Sequence, residues 1–158
     1  MVQHVWEPSK KGVVRINADA VVSAKMVRTG LGIVARNWCG ELVKAQGIGG
    51  RRREKVATEE SLAIRSALEM AQVAGWANIE VQSDCKNVVS AINAGNGQNY
   101  KSQTILEDIE ALKNSIDSCI VAFIPRTANR WSHAMAQSAS KVIRNIDRAN
   151  YLPARLTD

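Results

Sequence analysis

Three carboxylates stand where the local sequence pattern alone would not place them. In the strand-like run VVRINAD, alternation puts Asp19 on the same face as Asn17 and opposite the apolar side chains. In the helical segment ATEESLAIRSALEMA, Glu60 falls on the apolar stripe that continues through Ile64. Asp84 directly follows the strand-like run IEVQS. An ionised carboxylate on an apolar stripe, such as that of Glu60, is costly to bury unless it is paired, hydrogen-bonded or bound to a cation.

Each acid also has an ordinary explanation. Asp19 could lie at the end of its strand and initiate a turn. Glu60 could reach solvent from the first turn of its helix, where the helix dipole favours acids. Asp84 could be the N-cap of the helix that follows it.

Taken together, the three acids predict a different arrangement. Each lies at the end of a strand or in the opening turns of a helix, so one sheet could bring all three to one place. Clustered carboxylates repel strongly in low dielectric, and divalent cations are the usual remedy. Hard oxygen ligands suit Mg²⁺, and two such ions about 4 Å apart clamp a phosphodiester for in-line attack.

The elements that must position these acids follow from periodicity and turn residues. Three strand-like runs with short connections are typical of an antiparallel meander. Helices and further strands alternate after them, which predicts an α/β fold with a five-stranded mixed sheet. The predicted strands are residues 13–19, 30–36, 41–48, 79–83 and 119–125, and the predicted helices are 57–74 capped by Gly75, 85–93, 102–114 and a last helix from Asn129 to about Asn145.

The composition fits a single domain with a basic surface. We expect a domain at residues 6–146, with flexible termini at 1–5 and 147–158, in a chain of 158 residues. The 21 Lys and Arg against 15 Asp and Glu give a formal charge of +6, which favours a polyanionic partner such as nucleic acid. Cys39, Cys85 and Cys119 are odd in number and lack C-x-x-C spacing, so we expect neither disulfides nor a zinc site.

No apolar run approaches the ~20 residues that a membrane-spanning helix needs, and the N-terminus lacks a signal-peptide core. We therefore expect an intracellular protein, nuclear or cytoplasmic, without a membrane partner. A monomer is the expected oligomeric state.

In their order along the chain, the motifs resemble the plant ribonuclease H-like domain, which is also found beside plant retroelement reverse transcriptases. The motifs are INADA with Asp19, ATEESLAIRSALEMA with Glu60, VQSDCKNVVSAI with Asp84, and PRTANRWSHAMA. The resemblance covers about residues 6–144. It implies a ribonuclease H-like fold, in which parallel strands follow the meander, and hydrolysis of the RNA strand of RNA/DNA hybrids. It also implies two Mg²⁺ ions, with Mn²⁺ as a substitute.

The resemblance assigns a role to each acid. Asp19 matches an aspartate that bridges both metal ions, Glu60 matches the glutamate of the first helix, and Asp84 matches the aspartate that ends the fourth strand. The family usually has a fourth acid in the motif R-E-A-N-x-x-A-D-A-L-A, which reads RTANRWSHAMA here, so His133 takes its position. Asp19, Glu60, Asp84 and His133 are thus the expected catalytic and metal-binding residues. Two further departures are Ala20, where a glycine is common, and Phe123, where a histidine often stands.

Two sets of residues are expected to bind nucleic acid. Arg51, Arg52 and Arg53 precede the helix with Glu60, and Arg126, Asn129 and Arg130 surround the start of the last helix. A run of basic residues can equally be a solvated face. Asn129 could also cap its helix.

Two functions remain open at this point. The first is a metal-dependent hybrid endonuclease, and the second is a catalytically weak or inactive nucleic-acid-binding module with the same fold. His133 could be an exposed residue at the edge of its helix. We expect it instead to face the cleft with Asp19 and Asp84 and to tune metal binding. A ring more than ~10 Å from those carboxylates, beyond a shared metal shell, would refute this.

Overall fold

A six-stranded mixed sheet with helices on both faces forms the framework of the computed structural model. The model describes residues 9–23, 28–52, 55–95, 103–141 and 146–148. The elements in chain order are β1 Val14–Ser23, β2 Arg28–Arg36, β3 Leu42–Arg52, α1 Val56–Ala74, β4 Asn78–Ser83, α2 Lys86–Ala94, α3 Gln103–Asn114, β5 Ser118–Phe123, α4 Arg130–Ser140 and β6 Ile146–Arg148.

The strand order in the sheet is β5-β4-β1-β2-β3-β6. Strands β1, β2 and β3 form the antiparallel meander, β4 runs parallel to β1, and β5 runs parallel to β4. The predicted five-stranded mixed sheet is therefore confirmed. The parallel pairing of β1 with β4 aligns Asn17 with Gln82, so the chain leaves β4 close to the part of β1 that carries Asp19.

A sixth strand extends the sheet beyond the prediction. Asp147 and Arg148, which the sequence analysis placed in a flexible tail, pair antiparallel with Gln46 and Ala45 of β3. The last helix ends at Ser140, earlier than predicted, and residues 142–145 lie outside the described part of the chain. An edge strand such as β3 offers a row of unpaired backbone groups, and pairing with β6 satisfies some of them.

The main core lies between the sheet and α1. Ile16 and Ala18 of β1 and Ile64 and Leu68 of α1 are fully buried in it, as the alternation and the helical stripe predicted. Burial of a side chain such as leucine or isoleucine contributes roughly 1.5–3 kcal/mol. Gly75 ends α1 in the left-handed conformation, with φ of 74°, which confirms the predicted C-cap.

The opposite face of the sheet is covered by α4, whose backbone lies directly on β2. A Cβ atom on Gly32 would overlap backbone atoms of Ser132 and Ala136, and one on Gly30 would overlap Ala136 and Ser140. Only glycine at both positions allows this close approach. Gly30 and Gly32 therefore set the distance between α4 and the sheet.

A second, smaller core holds α4 against β2 and β3. Met135 is buried there with Val34 and Ala45. At the edge of this core, the guanidinium carbon of Arg36 lies 3.4 Å from the centroid of the Trp131 ring. Among the described residues, no helix combines the length and apolar character needed to cross a membrane.

Candidate active site

Asp19 lies inside β1 and is completely buried. The strand continues past it to Ser23, and Asp19 is paired with Gly32 of β2. The alternative in which Asp19 ends its strand and starts a turn is therefore wrong. Its side chain is 0% exposed, so the carboxylate depends entirely on partners inside the protein.

Glu60 and Asp84 converge on Asp19 from two other elements. Glu60 of α1 is only 5% exposed, so it does not reach solvent as an ordinary first-turn acid would. Asp84 follows β4 and does not cap α2, because the N-cap position is held by Cys85. One carboxylate oxygen from each of Asp19, Glu60 and Asp84 lies within 4.8 Å of the other two. The three acids therefore form one cluster, which we call the acid trio.

Burial makes ionisation of Asp19 and Glu60 unfavourable. Desolvation raises the pKa of Glu60 to about 9, and the nearby charges of Asp19 and Asp84 act in the same direction. Desolvation and the charge of Asp84 also raise the pKa of Asp19, whereas its hydrogen bond with His133 opposes this shift. Ionisation of all three acids at once therefore requires a nearby positive charge.

The free oxygens of the trio fit a divalent cation. Within the described ranges, buried Oδ1 of Asp19 and Oε2 of Glu60 have no hydrogen-bond partner. Buried oxygens without a donor are costly unless something binds them. Hard carboxylate oxygens are the ligands that Mg²⁺ and similar ions prefer. The residues present therefore fit a metal ion of that class.

His133 lies against the trio. Its Nδ1 is 2.7 Å from Oδ2 of Asp19, far inside the ~10 Å limit for a shared metal shell. The side chain is 28% exposed, so it is not simply a solvated residue on the edge of α4. The histidine that takes the place of the expected fourth acid thus contacts the central carboxylate directly.

A buried polar network fixes the start of α4 beside β1. Nδ2 of Asn129 donates to the Ala18 carbonyl at 3.0 Å, and its Oδ1 accepts from Nδ2 of Asn17 at 3.1 Å and from Oγ of Ser132 at 2.6 Å. Asn129 occupies the N-cap position, but its side chain makes no cap hydrogen bond.

This network corrects the prediction that Asn129 binds nucleic acid. The residue is only 1% exposed, and its amide is committed to internal bonds because buried polar groups must be satisfied. Its hydrogen bonds connect the strand that carries Asp19 to the helix that carries His133.

Two of the expected basic residues lie near the site. Arg126 is exposed in a short 3-10 turn just before α4, and its Nε lies 3.5 Å from Oδ2 of Asp84. Arg130 is exposed at the first position of α4. The backbones of Arg51 and Arg52 form the end of β3. Their side chains, and all of Arg53, lie outside the described residues.

Two buried polar residues, one on α1 and one on β1, were not predicted from the sequence. Glu59, which precedes Glu60 on α1, is 0% exposed. Asn17 also donates to Oε1 of Gln82 at 3.3 Å, which joins β1 to β4. The alternation that put Asn17 on the face of Asp19 was the available signal, but the pattern could not name its partners.

The fold and the acid trio together define a ribonuclease H-like domain. RNase H1 from the halophilic archaeon Halobacterium salinarum NRC-1 superposes with a TM-score of 0.73 at 22% identity, covering 80% of this chain and 96% of that one. LC11-RNase H1, solved in complex with an RNA/DNA hybrid, has a TM-score of 0.72 at 17% identity, covering 81% and 96%.

Residues 17–139 match the family described as reverse transcriptase-like, and the chain belongs to this family. The Prototype Foamy Virus protease-reverse transcriptase is also similar, with a TM-score of 0.67 at 16% identity, covering 89% of this chain and 22% of the viral one. At these identities, likeness to solved structures shows the fold. Comparison with curated protein sequences finds no significant match.

Proposed function

We propose that this protein is a metal-dependent endonuclease that hydrolyses the RNA strand of RNA/DNA hybrids. The acid trio carries the proposal, because its buried oxygens lie within 4.8 Å of one another and include atoms without hydrogen-bond partners. A ribonuclease H-like domain provides the setting, and LC11-RNase H1 has been solved with such a hybrid. Mg²⁺ is the proposed cofactor, with Mn²⁺ as a substitute.

Asp19, Glu60 and Asp84 would hold the metal ion, which when bound supplies activation of water and stabilisation of charge on the leaving 3′ oxygen. Asp19 is placed at the centre because β1 lies between β4 and β2 in the sheet. Asp19 and Glu60 are buried and the side chain of Asp84 is only 9% exposed, which limits bulk water at the trio and strengthens its attraction for a cation. His133 holds Asp19 in orientation through the bond between Nδ1 and Oδ2.

Substrate binding would use the exposed cations beside the trio. Arg126 lies next to Asp84, and Arg130 opens α4. Both can contact phosphates of the hybrid without sequence preference. Arg51, Arg52 and Arg53 are proposed as a second contact on the sequence evidence alone. Selection of the RNA strand would come from contacts to 2′-hydroxyl groups across the minor groove.

A second function is favoured by one observation, the histidine at position 133. A histidine at this position removes one negative charge from the expected set. This supports a catalytically weak or inactive module that still binds hybrids. The same cations would serve this function.

The context proposed for the protein follows its motifs. The resemblance of the sequence motifs supports a plant or retroelement origin, and the similar fold of the foamy virus protein supports the retroelement connection. We propose that the protein acts as a monomer inside the cell. Its proposed domain spans residues 6–146 together with the rest of β6.

A cleavage assay with two matched variants tests the proposal. The full chain is incubated with an end-labelled RNA/DNA hybrid in Mg²⁺ or Mn²⁺, with chelator as the blank. We expect cleavage of the RNA strand by the unchanged protein. In Asp19→Asn the cleavage rate should fall roughly 100-fold or more, the order seen when a group that stabilises transition-state charge is removed. In Asp108→Asn the rate should not change. Asp108 is a suitable control because it pairs with Arg65 on an exposed surface.

Each other outcome has a definite meaning. Equal cleavage by the protein and by Asp19→Asn would reveal a contaminating nuclease. Hybrid binding without cleavage by any form would refute the endonuclease and favour the binding module.

A further inference from the structure

We infer that His133 blocks the position of a second metal ion. The acid trio then binds a single divalent cation rather than the two expected from the sequence. The inference rests on the proposed function, since it concerns the same site. It depends on the contact between Nδ1 of His133 and Oδ2 of Asp19 at 2.7 Å. This is a short distance, typical of a hydrogen bond to an ionised acceptor.

The two carboxylate oxygens of Asp19 differ in their hydrogen bonding. When a carboxylate bridges two ions about 4 Å apart through both of its oxygens, one oxygen faces each ion. Oδ2 is engaged by the imidazole of His133, whereas buried Oδ1 has no hydrogen-bond partner among the described residues. Asp19 therefore has one oxygen, Oδ1, free of other partners in the described part of the chain and available to a metal.

The charge of the site also matches one ion. Three carboxylates surround the centre, and the guanidinium of Arg126 lies 3.5 Å from Asp84. Ionised, the trio and Arg126 together leave two negative charges, which one divalent cation neutralises. A second ion would lie beside a histidine that has no negative charge to offer. An aspartate at position 133 would supply that charge, because bound cations attract each carboxylate beside them.

His133 is held in this place by its helix. The backbone N–H of His133 donates to the Asn129 carbonyl at 3.1 Å, and Asn129 is itself bonded to β1. Close packing of α4 on Gly30 and Gly32 prevents the helix from moving toward the sheet. If the ring rotated away, the buried Oδ2 would lose its donor. His133 is therefore a positioning residue, which acts on the metal through Asp19.

Binding of Mn²⁺ counts the ions without relying on activity. The full chain is titrated with Mn²⁺ by calorimetry and by electron paramagnetic resonance. Both measurements are made alone and with a hybrid whose RNA strand carries 2′-O-methyl groups and is not cut. We expect one Mn²⁺ per chain in both cases, with the spectrum of an isolated ion. We expect two Mn²⁺ in His133→Asp, with the spin coupling of ions about 4 Å apart.

Further variants separate a local effect from misfolding. His133→Gln keeps a side chain N–H that can donate to Asp19, so we expect it to retain one ion. Asp108→Asn should bind as the unchanged protein does, and Asp19→Asn should bind Mn²⁺ at least 10-fold more weakly. Two coupled ions in the unchanged protein, or a single ion in a folded His133→Asp variant, would overturn the inference.

The two proposals can fail separately. If the protein cleaves hybrids and binds two coupled ions, the single-ion inference falls and the proposed function stands. If the protein binds one ion and cleaves no hybrid, the proposed enzyme falls and the single-ion centre stands. Absence of Mn²⁺ binding would refute both.

Discussion

Gly32 lies directly beneath Ser132, so close that a Cβ atom on Gly32 would overlap the Ser132 carbonyl oxygen and the Ala136 nitrogen. Both overlapping groups belong to the backbone of α4, which cannot rotate away as a side chain can. Gly32 is also the partner of Asp19 in the pairing of β1 with β2. The same residue thus supports the central acid and sets the position of the helix that carries His133.

We expect Gly32→Ala to push α4 away from the sheet and to lower hybrid cleavage by the folded protein at least 10-fold. Overpacking of this kind costs about 1–3 kcal/mol or more in unfolding free energy. Urea unfolding and cleavage rates at a temperature where the variant is folded would measure both effects. Gly75→Ala is the matched control, since its φ of 74° makes it lose about 1–2 kcal/mol without meeting any atom within 4 Å. Unchanged cleavage by Gly32→Ala would contradict the expectation.

The metal-free protein should lose stability as pH rises. Burial raises the pKa of Glu60 from the ordinary value of 4.5 to about 9, so the folded state binds a proton that the unfolded state releases. The stability contribution of this group is complete below pH of about 4.5 and is lost progressively toward pH 9. Urea unfolding in chelator at pH 6 and pH 8.5 should show the fall, and Glu60→Gln should reduce it.

Glu69→Gln is the control for that experiment, because Glu69 is an exposed acid on the same helix. It should keep the pH dependence of the unchanged protein. Added Mg²⁺ should restore stability at pH 8.5 in the unchanged protein but less in Glu60→Gln. Equal pH slopes for the protein and Glu60→Gln would show that Glu60 ionises normally.

Asn17 and Asn129 should be energetically coupled. Removal of either amide leaves the other buried without its partner, which costs about 1–3 kcal/mol. A double-mutant cycle with alanine at both positions, measured by urea unfolding, should give a coupling free energy of about 0.5–3 kcal/mol, the range typical of residues in contact. The exposed pair of Gln103 and Glu107 on α3 is the control cycle, with an expected coupling of about 0.2–0.5 kcal/mol. Additive effects at Asn17 and Asn129 would rule out the network as a unit.

Arg130 should contribute to hybrid binding through phosphate contact. We expect Arg130→Ala to weaken binding and to reduce the slope of log affinity against log salt by about 1. Fluorescence anisotropy at several KCl concentrations, in chelator to prevent cleavage, would measure this. Lys113→Ala is the control because Lys113 lies in the last turn of α3, away from the start of α4. An equal effect of both substitutions would indicate binding by overall charge alone.

Local periodicity made much of the fold and the acid trio predictable. Glu60 interrupted the apolar stripe of its helix, and Asp19 and Asp84 lay within or directly after strand-like runs. The order of elements indicated that one sheet could bring the three together, as the structure does. Gly75 was recognisable as a helix end for the same local reason. These features depend on a few neighbouring residues, which the sequence displays directly.

The rest depended on contacts between distant segments. Strand β6 exists by pairing with β3, about a hundred residues earlier in the chain, and the local sequence at Asp147 carries no sign of that partner. Asn129 is a residue type common at helix N-caps. Its side-chain amide instead forms hydrogen bonds with Asn17 and with the Ala18 carbonyl, because α4 crosses β1 there. Propensity gives way to tertiary hydrogen bonding at such a position.

The contact of Arg36 with Trp131 gives the protein an internal optical reporter. The guanidinium lies 3.4 Å from the indole centroid, and Trp131 precedes His133 by two positions on α4. Such an arrangement forms only when α4 rests on β2. Indole emission is sensitive to a cation against the ring, so the fluorescence of Trp131 should follow the docking of α4. In a variant that keeps Trp131 as its one tryptophan, the assembly of His133 with the acid trio could then be timed in a stopped-flow instrument without any added dye.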